Sequence, residues 1–380
     1  MKISRLESVL EQIQTPAYVC EEAHLEENLK LLDYVQQKSG AKILLALKGF
    51  ALQDTFYLVK KYLHGCTASG LYEAKLAREA FGKEVHTYSP AFKDSDIDEI
   101  IAISDHIVFN SFSQWQKFRP KVTGRLSCGI RVNPEVSSAP VALYDPCSPN
   151  SRLGVTKKAF KEELLEGIEG LHFHALCEQN ADALEMVLEG FERNFGSYIP
   201  QMKWINFGGG HHITREDYDI ERLIRAIKRF REKYNGITLY LEPGEAVGWQ
   251  SGALVASVLD IVENGIPIAI LDTSAEAHMP DTLSMPYRAE IRGAAVTNDK
   301  KHTYRLGGNT CLAGDIIGDY SFDEPLKVGD KLIFEDMIHY TIVKNTTFNG
   351  IKLPDLALLD KDGNYKVLKH FGYEEYRRRN

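Results

Sequence analysis

Short apolar runs alternate with amphipathic stretches along most of this chain. The run 43–47 is too short for a helix, is closed by Lys48-Gly49 and is followed by helical spacing, so it reads as a fully buried strand. The same unit then recurs, with strands expected over 64–69, 85–89, 106–110, 126–133, 171–176, 204–207 and 237–241. Helices are expected between them, over 52–63, 72–81, 94–103, 113–122, 157–168, 181–198 and 215–234. A further helix over 21–37 carries Leu25, Leu29, Leu32 and Val35 at helical spacing. Strand-helix alternation implies parallel pairing through right-handed crossovers. Eight units close a barrel, whereas an open doubly wound sheet usually stops sooner, so a (β/α)8 TIM barrel is expected over 22–245.

The texture changes after Gly244. Residues 246–380 hold Val, Ile, Thr and Tyr in short alternating runs, at 253–262, 289–297, 331–334 and 340–343, broken by Gly, Pro and Asn-Gly. That pattern predicts a mostly antiparallel β-domain. The segment 15–20 reads as a strand of the same domain, which is then discontinuous, 1–21 with 246–380. The fold class is α/β plus β. The tail 376–379 reads as a solvated end.

A formal net charge of -8 argues against nucleic acid or an anionic membrane as partner. The six cysteines are scattered and form no C-x-x-C pair, which suits neither a zinc knuckle nor a disulfide framework. No apolar run reaches 18 residues, and the first 16 carry charges where a signal peptide needs an apolar core. The expectation is a soluble, cytoplasmic protein.

Barrels of this kind place their chemistry at the C-terminal ends of the strands. Those positions here are Lys48, Ser69, Ser89, Asn110, Arg131 with Asn133, His174, Gly208-Gly209-Gly210 and Glu242. A lysine at the end of a buried strand must reach water or hold a partner. The glycine run follows a strand and precedes a helix, so its backbone can approach a phosphate as well as make a tight turn. Glu242 sits where a pyridine nitrogen would need a carboxylate to stay protonated. Lysine, phosphate loop and carboxylate together describe a pocket for pyridoxal phosphate. His172-Phe173-His174 leaves three readings open, the plainest being that one histidine packs in the barrel wall and the other caps it. The two imidazoles share one face of a strand and could ligate zinc, giving a metal-dependent hydrolase, or His174 could stack on the cofactor ring.

The ordered set Ala-Leu-Lys48, Phe173-His174, Gly208-Gly209-Gly210, Glu242-Pro243-Gly244, Cys311, Gly314-Asp315, Phe334-Glu335-Asp336-Met337, Tyr340 and Phe348-Asn349-Gly350 resembles the fold type III pyridoxal-phosphate decarboxylases. The likeness spans nearly the whole chain. It is strongest with the branch that acts on carboxynorspermidine and carboxyspermidine, through His174-Ala175-Leu176-Cys177-Glu178, Gly210-His211-His212, Glu242-Pro243-Gly244-Glu245, the stretch 277–281, Met285-Pro286-Tyr287-Arg288, Tyr144-Asp145-Pro146-Cys147 and Ser151-Arg152-Leu153-Gly154. Glu245 stands where the ornithine and diaminopimelate enzymes of the family carry a phosphate-binding arginine. Leu312 follows Cys311 where they carry a substrate-binding acid.

The resemblance implies pyridoxal 5'-phosphate bound through Lys48, His174, Cys177, Gly208, Gly209, Gly210, Glu242, Gly244 and Tyr340, and no metal. It implies that Lys48 carries the cofactor, that His174 packs on its ring, and that Cys311, supplied across a two-fold homodimer with shared active sites, returns a proton to Cα. The substrate is expected to be an amino acid with a long cationic tail, with Asp145, Arg152, Glu178, Glu245, Asp281 and Asp315 as candidates to bind it. Decarboxylation of another basic amino acid, diaminopimelate or ornithine, is the alternative.

Overall fold

The computed structural model describes residues 4–137 and 142–380. It divides into two compact units, 1–27 with 248–380, and 28–247. Strand β1, Ala17–Glu21, belongs to the first. The second is a closed parallel barrel of β2 Lys42–Ala46, β3 Gly65–Ala68, β4 Glu84–Ser89, β5 His106–Phe109, β6 Ser127–Arg131, β7 Gly170–His172, β8 Trp204–Asn206 and β9 Thr238–Leu241, paired in chain order with β2 returning to β9. This is the expected eight-unit architecture. Sustained apolar runs give strands buried on both faces, and amphipathic helices such as Ala181–Phe195 and Ile220–Lys233 cover the outside.

Trp204 sets how the barrel interior packs. Its indole lies across β6 and β7, where a side chain on Gly170 would come within 2.1 Å of it and one on Gly129 within 2.4 Å. Glycine on two neighbouring strands is therefore what makes room for tryptophan on the third. Leu44, Val108 and Tyr240 complete that layer. At the C-terminal end the barrel closes between β2 and β9 by backbone contact. A Cβ on Gly49 would lie 2.9 Å from Gly244 Cα, and one on Gly244 would lie 3.0 Å from Gly49 Cα.

One crossover departs from the expected helix over 157–168. Two single turns, Lys157–Ala159 and Glu162–Leu164, replace it. Aromatic contacts compete with helical bonding there. The Trp115 indole N–H donates to the Leu164 carbonyl (2.9 Å), Phe160 packs among Phe112, Phe195 and Tyr198, and Gly167 lies under Trp115 at φ +91°.

The other unit is a mostly antiparallel sheet of β1 with β10 Gly252–Asn264, β11 Ile266–Leu271, β12 His302–Gly307, β13 Ile316–Phe322, β14 Lys331–Glu335, β15 Asp355–Leu359 and β16 Tyr365–Lys369. As expected, the N-terminal strand joins it, antiparallel to β10 and parallel to β15. Leu6, Val9, Ile13, Val19, Val255 and Leu359 are part of its core.

Two local expectations are corrected in this unit, and the tail is exposed as expected. Residues 289–297 make only the isolated bridges Ile291↔Phe334 and Ala295↔Ser321, because Gly293 turns the chain at φ +74°. Tyr340–Lys344 is a helical turn rather than a strand, since Lys344 reaches back over the Tyr340 ring and ion-pairs with Asp281. The tail forms an exposed helix, Tyr373–Arg379.

Candidate active site

Lys48 lies two residues past the end of β2, and the Gly49/Gly244 contact ties it to the end of β9, which Glu242 directly follows. Solvent reaches its side chain, yet it is sunk among the atoms of the barrel mouth. That crowding lowers its pKa, Arg131 lowers it further, and Glu242, Glu73 and Cys177 oppose them. An amine with a lowered pKa is closer to its nucleophilic form.

Glu242 is buried, and the Asn206 amide donates to its Oε1 at 2.7 Å. His172 Nε2 stands 3.5 Å from Oε2. Burial alone would raise the Glu242 pKa, but His172, His86 and Asn206 outweigh it and hold the carboxyl below its ordinary range. His172 is itself pushed toward its neutral form, chiefly by burial. The Asn206 hydrogen bond, made by a neutral donor, acts on Glu242 whatever the charge on His172.

His174 lies just past the end of β7, which stops at His172, earlier than the run to 176 that the apolar pattern suggests. The Gly209 N–H donates to His174 Nδ1 at 2.9 Å, so the proton of the neutral ring is on Nε2. Burial, then Lys48 and Arg131, lower its pKa well below the usual value. The Arg131 guanidinium stacks 4.7 Å from the Tyr88 ring centre and donates to the His174 carbonyl at 3.2 Å.

The glycine run is demanded by contact on both sides. A side chain on Gly208 would meet the Phe173 carbonyl, one on Gly209 the Glu242 carbonyl, and one on Gly210 the Leu176 carbonyl, all within 2.5 Å. Gly208 and Gly210 also adopt φ of +69° and +82°, which favour glycine. The Gly208 N–H donates to Asn206 Oδ1 at 2.8 Å and the Gly209 N–H to His174. Two of the three N–H groups therefore orient side chains rather than facing outward.

Glu178 and Glu245 meet at the barrel mouth, where a carboxylate oxygen of each and a ring nitrogen of His212 lie within 4.8 Å of one another. The Arg152 backbone is pinned by the Asn110 amide at 2.8 Å; burial raises the pKa of nearby Tyr88, against the opposing charges of Arg131 and Arg152. Asp145 is buried and accepts from the Ser137 hydroxyl and from the Cys147 N–H, which fixes its own loop.

The remaining candidates lie in the sheet unit. Cys311 is exposed, and its N–H donates to Asn349 Oδ1 at 2.7 Å. Tyr340 and Asp281 are joined through Lys344. Asp315, expected among the acids for the substrate tail, is placed differently. It is buried and accepts from Ser274 Oγ, the N–H groups of Ala275, Glu276 and Thr310, and Thr310 Oγ1. Five donors use up its lone pairs, so it anchors the turn that presents Cys311.

Sequence reasoning passed over Tyr88, Glu73 and the bridging role of Asn206. Period-two alternation from His86 would have put Tyr88 on the interior face. The zinc reading of His172 and His174 fails on geometry. His174 Nδ1 is occupied by the Gly209 N–H, and among the described residues neither imidazole joins a group of three convergent His, Cys, Asp or Glu ligand atoms.

A family model described as pyridoxal-dependent decarboxylase, C-terminal sheet domain, matches residues 17–338, and the chain belongs to this family of pyridoxal-phosphate-dependent decarboxylases. It is 57% identical to the carboxynorspermidine/carboxyspermidine decarboxylase of Campylobacter jejuni, over 97% of this chain and 99% of that one. It is 46% identical to the carboxyaminopropylagmatine decarboxylase of a Synechocystis species, over 97% of this chain and 96% of that one. The crystal structure of Campylobacter jejuni carboxynorspermidine decarboxylase complexed with norspermidine superposes with a TM-score of 0.92 at 56% identity, covering 97% of this chain and all of that one. The residues present fit the cofactor: a perturbed amine, a buried carboxylate, a neutral imidazole and a glycine cradle that side chains would fill.

Proposed function

We propose that this chain decarboxylates carboxynorspermidine and carboxyspermidine, yielding norspermidine or spermidine and CO2. The observation that carries the reading is the Glu178/Glu245 pair at the barrel mouth, which offers two anionic groups to a cationic aminopropyl tail where the ornithine-type enzymes of the family carry an arginine. The 57% identity to a decarboxylase named for these substrates supports it.

Pyridoxal phosphate, when bound, supplies an electron sink for the pair released as CO2 leaves. The chain's own groups do the remainder. Lys48 Nζ would hold the cofactor through its carbonyl carbon. Glu242 keeps a proton on the ring nitrogen, and Asn206 keeps Glu242 aimed. His174, held neutral, offers a flat apolar face to the ring. With the Gly208 and Gly209 N–H groups turned inward, the phosphate falls to N–H groups from Gly210 onward, with Cys177, Gly244 and Tyr340 as further contacts. Glu178 and Glu245 bind the tail amines. Arg152 takes the substrate carboxylate.

Cys311 Sγ returns the proton to Cα, and by the family resemblance it does so across a homodimer. Exposed apolar side chains, Leu312 and Ile316 close to Cys311 in sequence and Phe348 beside Asn349, which accepts from the Cys311 N–H, support a covering partner surface. The enzyme would work in the cytoplasm.

The test incubates purified chain with pyridoxal phosphate and measures CO2 from carboxynorspermidine, carboxyspermidine, carboxyaminopropylagmatine, ornithine and diaminopimelate. Release from the first two, with visible absorption that borohydride bleaches and that Lys48→Ala lacks, is the expected outcome. Preference for carboxyaminopropylagmatine or for ornithine would overturn the substrate, and a chain that stays colourless with the cofactor would overturn the whole reading.

A further inference from the structure

At the opposite end of the barrel from Lys48, three imidazoles converge on one carboxylate. Glu84 opens β4 and His106 opens β5. His86 follows two residues after Glu84 on the same interior face, and His64 immediately precedes β3. Register brings them together, since Gly65 pairs with Glu84 and His86 with His106. His86 Nε2 is 2.7 Å and His106 Nε2 3.4 Å from Glu84 Oε1, and His64 Nε2 is 2.9 Å from Oε2. One ligand atom from each of Glu84, His86 and His106 lies within 4.8 Å of the other two.

We propose that Glu84, His86 and His106, with His64 as fourth ligand, form a binding site for one divalent transition-metal ion at the N-terminal end of the barrel.

Three neutral imidazoles and one carboxylate are a donor set that zinc and its neighbours favour. In a tetrahedral site with bonds of about 2.1 Å, ligand atoms stand about 3.4 Å apart, a spacing that Glu84, His86 and His106 approach, while His64, which faces the other oxygen of Glu84, would have to move inward to join them. His86 is almost fully buried (1% exposed), and the Nδ1 atoms of His86 and His106 have no hydrogen-bond partner. In each ring Nε2, the atom toward Glu84, is the nitrogen offered to an ion. The Tyr240 hydroxyl donates to Glu84 Oε1 at 2.7 Å and orients the carboxylate, as second-shell groups do.

A recess of about 430 Å³ lined by Lys42, Arg78, Lys83, Glu84, Asp105, His106 and Tyr240 gives an entry path. Two adjustments are required on binding. The His86 and His106 rings are stacked at 3.9 Å with 9° between their planes, so one must turn for a shared ion to lie along both lone pairs, and His106, which lines the recess, has the space. Lys42 Nζ, 3.7 Å from Glu84, must swing into solvent, which its half-exposed side chain permits. Four protein ligands close the coordination sphere, so the ion would brace β3, β4 and β5 rather than do chemistry.

The test treats the pyridoxal-phosphate-loaded full-length chain with a chelator and then titrates it with Zn2+ alone and with Co2+ alone. Expected are one ion per chain, visible absorption of tetrahedral Co2+, and a higher Tm with Zn2+. His106→Asn should weaken binding at least tenfold and abolish the Tm gain. His64→Asn, at a half-exposed position tolerant of change, should weaken binding about tenfold and covers the case in which the buried variant misfolds. Glu245→Gln, at the other end of the barrel, should leave the titration unchanged. No stoichiometric binding, binding indifferent to both histidine variants, or binding lost in Glu245→Gln instead would each overturn the proposal.

Discussion

Asn206 is where the two halves of the proposed cofactor site meet, and replacing it separates their energies. It is fully buried, its amide donates to Glu242 Oε1 at 2.7 Å, and its carbonyl accepts from the Gly208 N–H at 2.8 Å. Asn206→Ala removes both bonds. Leaving the buried Gly208 N–H without a partner costs about 1–3 kcal/mol, and losing a bond to a charged group costs about 1.5–3 kcal/mol. The variant should therefore lose roughly 3–6 kcal/mol, a large fraction of a typical domain's stability. If Glu242 is also released from its orientation, the second figure converts to a fall in kcat of roughly 10- to 100-fold.

Asn206→Asp distinguishes orientation from mere folding. It keeps an acceptor for Gly208 but places a second carboxyl against Glu242, and two carboxyls that close cannot both ionise, so the shared site's upper pKa is raised. Protonated, the new carboxyl donates to Glu242 as the amide did. Ionised, it repels. Activity of Asn206→Asp should thus be highest at the acid end of the working range and fall as pH rises through that raised pKa, while the wild type shows no such fall. Thermal unfolding and kcat against pH measure both variants. Wild-type stability and kcat in Asn206→Ala, or a wild-type pH profile in Asn206→Asp, would refute the assigned role.

Gly170→Ala would drive a methyl group to 2.1–2.3 Å from three atoms of the Trp204 indole, which Gly129 hems in on a second side. Overpacking of this kind costs about 3 kcal/mol, so Tm should fall by roughly 6–12 °C, and Trp204→Phe in the same chain should recover part of it. Glu178→Gln and Glu245→Gln should each raise KM for carboxynorspermidine roughly tenfold, the discounted worth of one partly solvated charge-assisted bond, with kcat little changed. Equal KM values in variant and wild type would remove these acids from the tail site. Asp315→Ala orphans five donors and should lower Tm by roughly 6–12 °C, whereas an acid that bound substrate would move KM instead.

The barrel was legible because its apolar runs have one length and one spacing, and because parallel pairing follows from alternation. Lys48, Glu242 and the glycine run were legible because strand ends are the places where a polar residue breaks an apolar run. The segments 157–168 and 340–344 misled because their periodicity is local, whereas what shaped them is not. Trp115 takes a carbonyl 49 residues away, and Lys344 reaches an acid 63 residues away.

The acids show the same limit more sharply. Asp145, Glu178, Glu245, Asp281 and Asp315 are alike as letters, and only their donors tell them apart. Asp315 has five and Asp145 has two within its own loop, while Asp281 is taken by Lys344. Glu178 and Glu245 are separated by 67 positions, yet strands β7 to β9 deliver them to one spot beside His212. An acid already neutralised by its own fold has little left to attract an ammonium group, because the lone pairs and the charge are spent. Two acids brought to one spot at the barrel mouth repel one another, and a cation between them relieves that repulsion. In the proposed reading, specificity for a polyamine tail rests on this pair, whose convergence no single stretch of sequence displays.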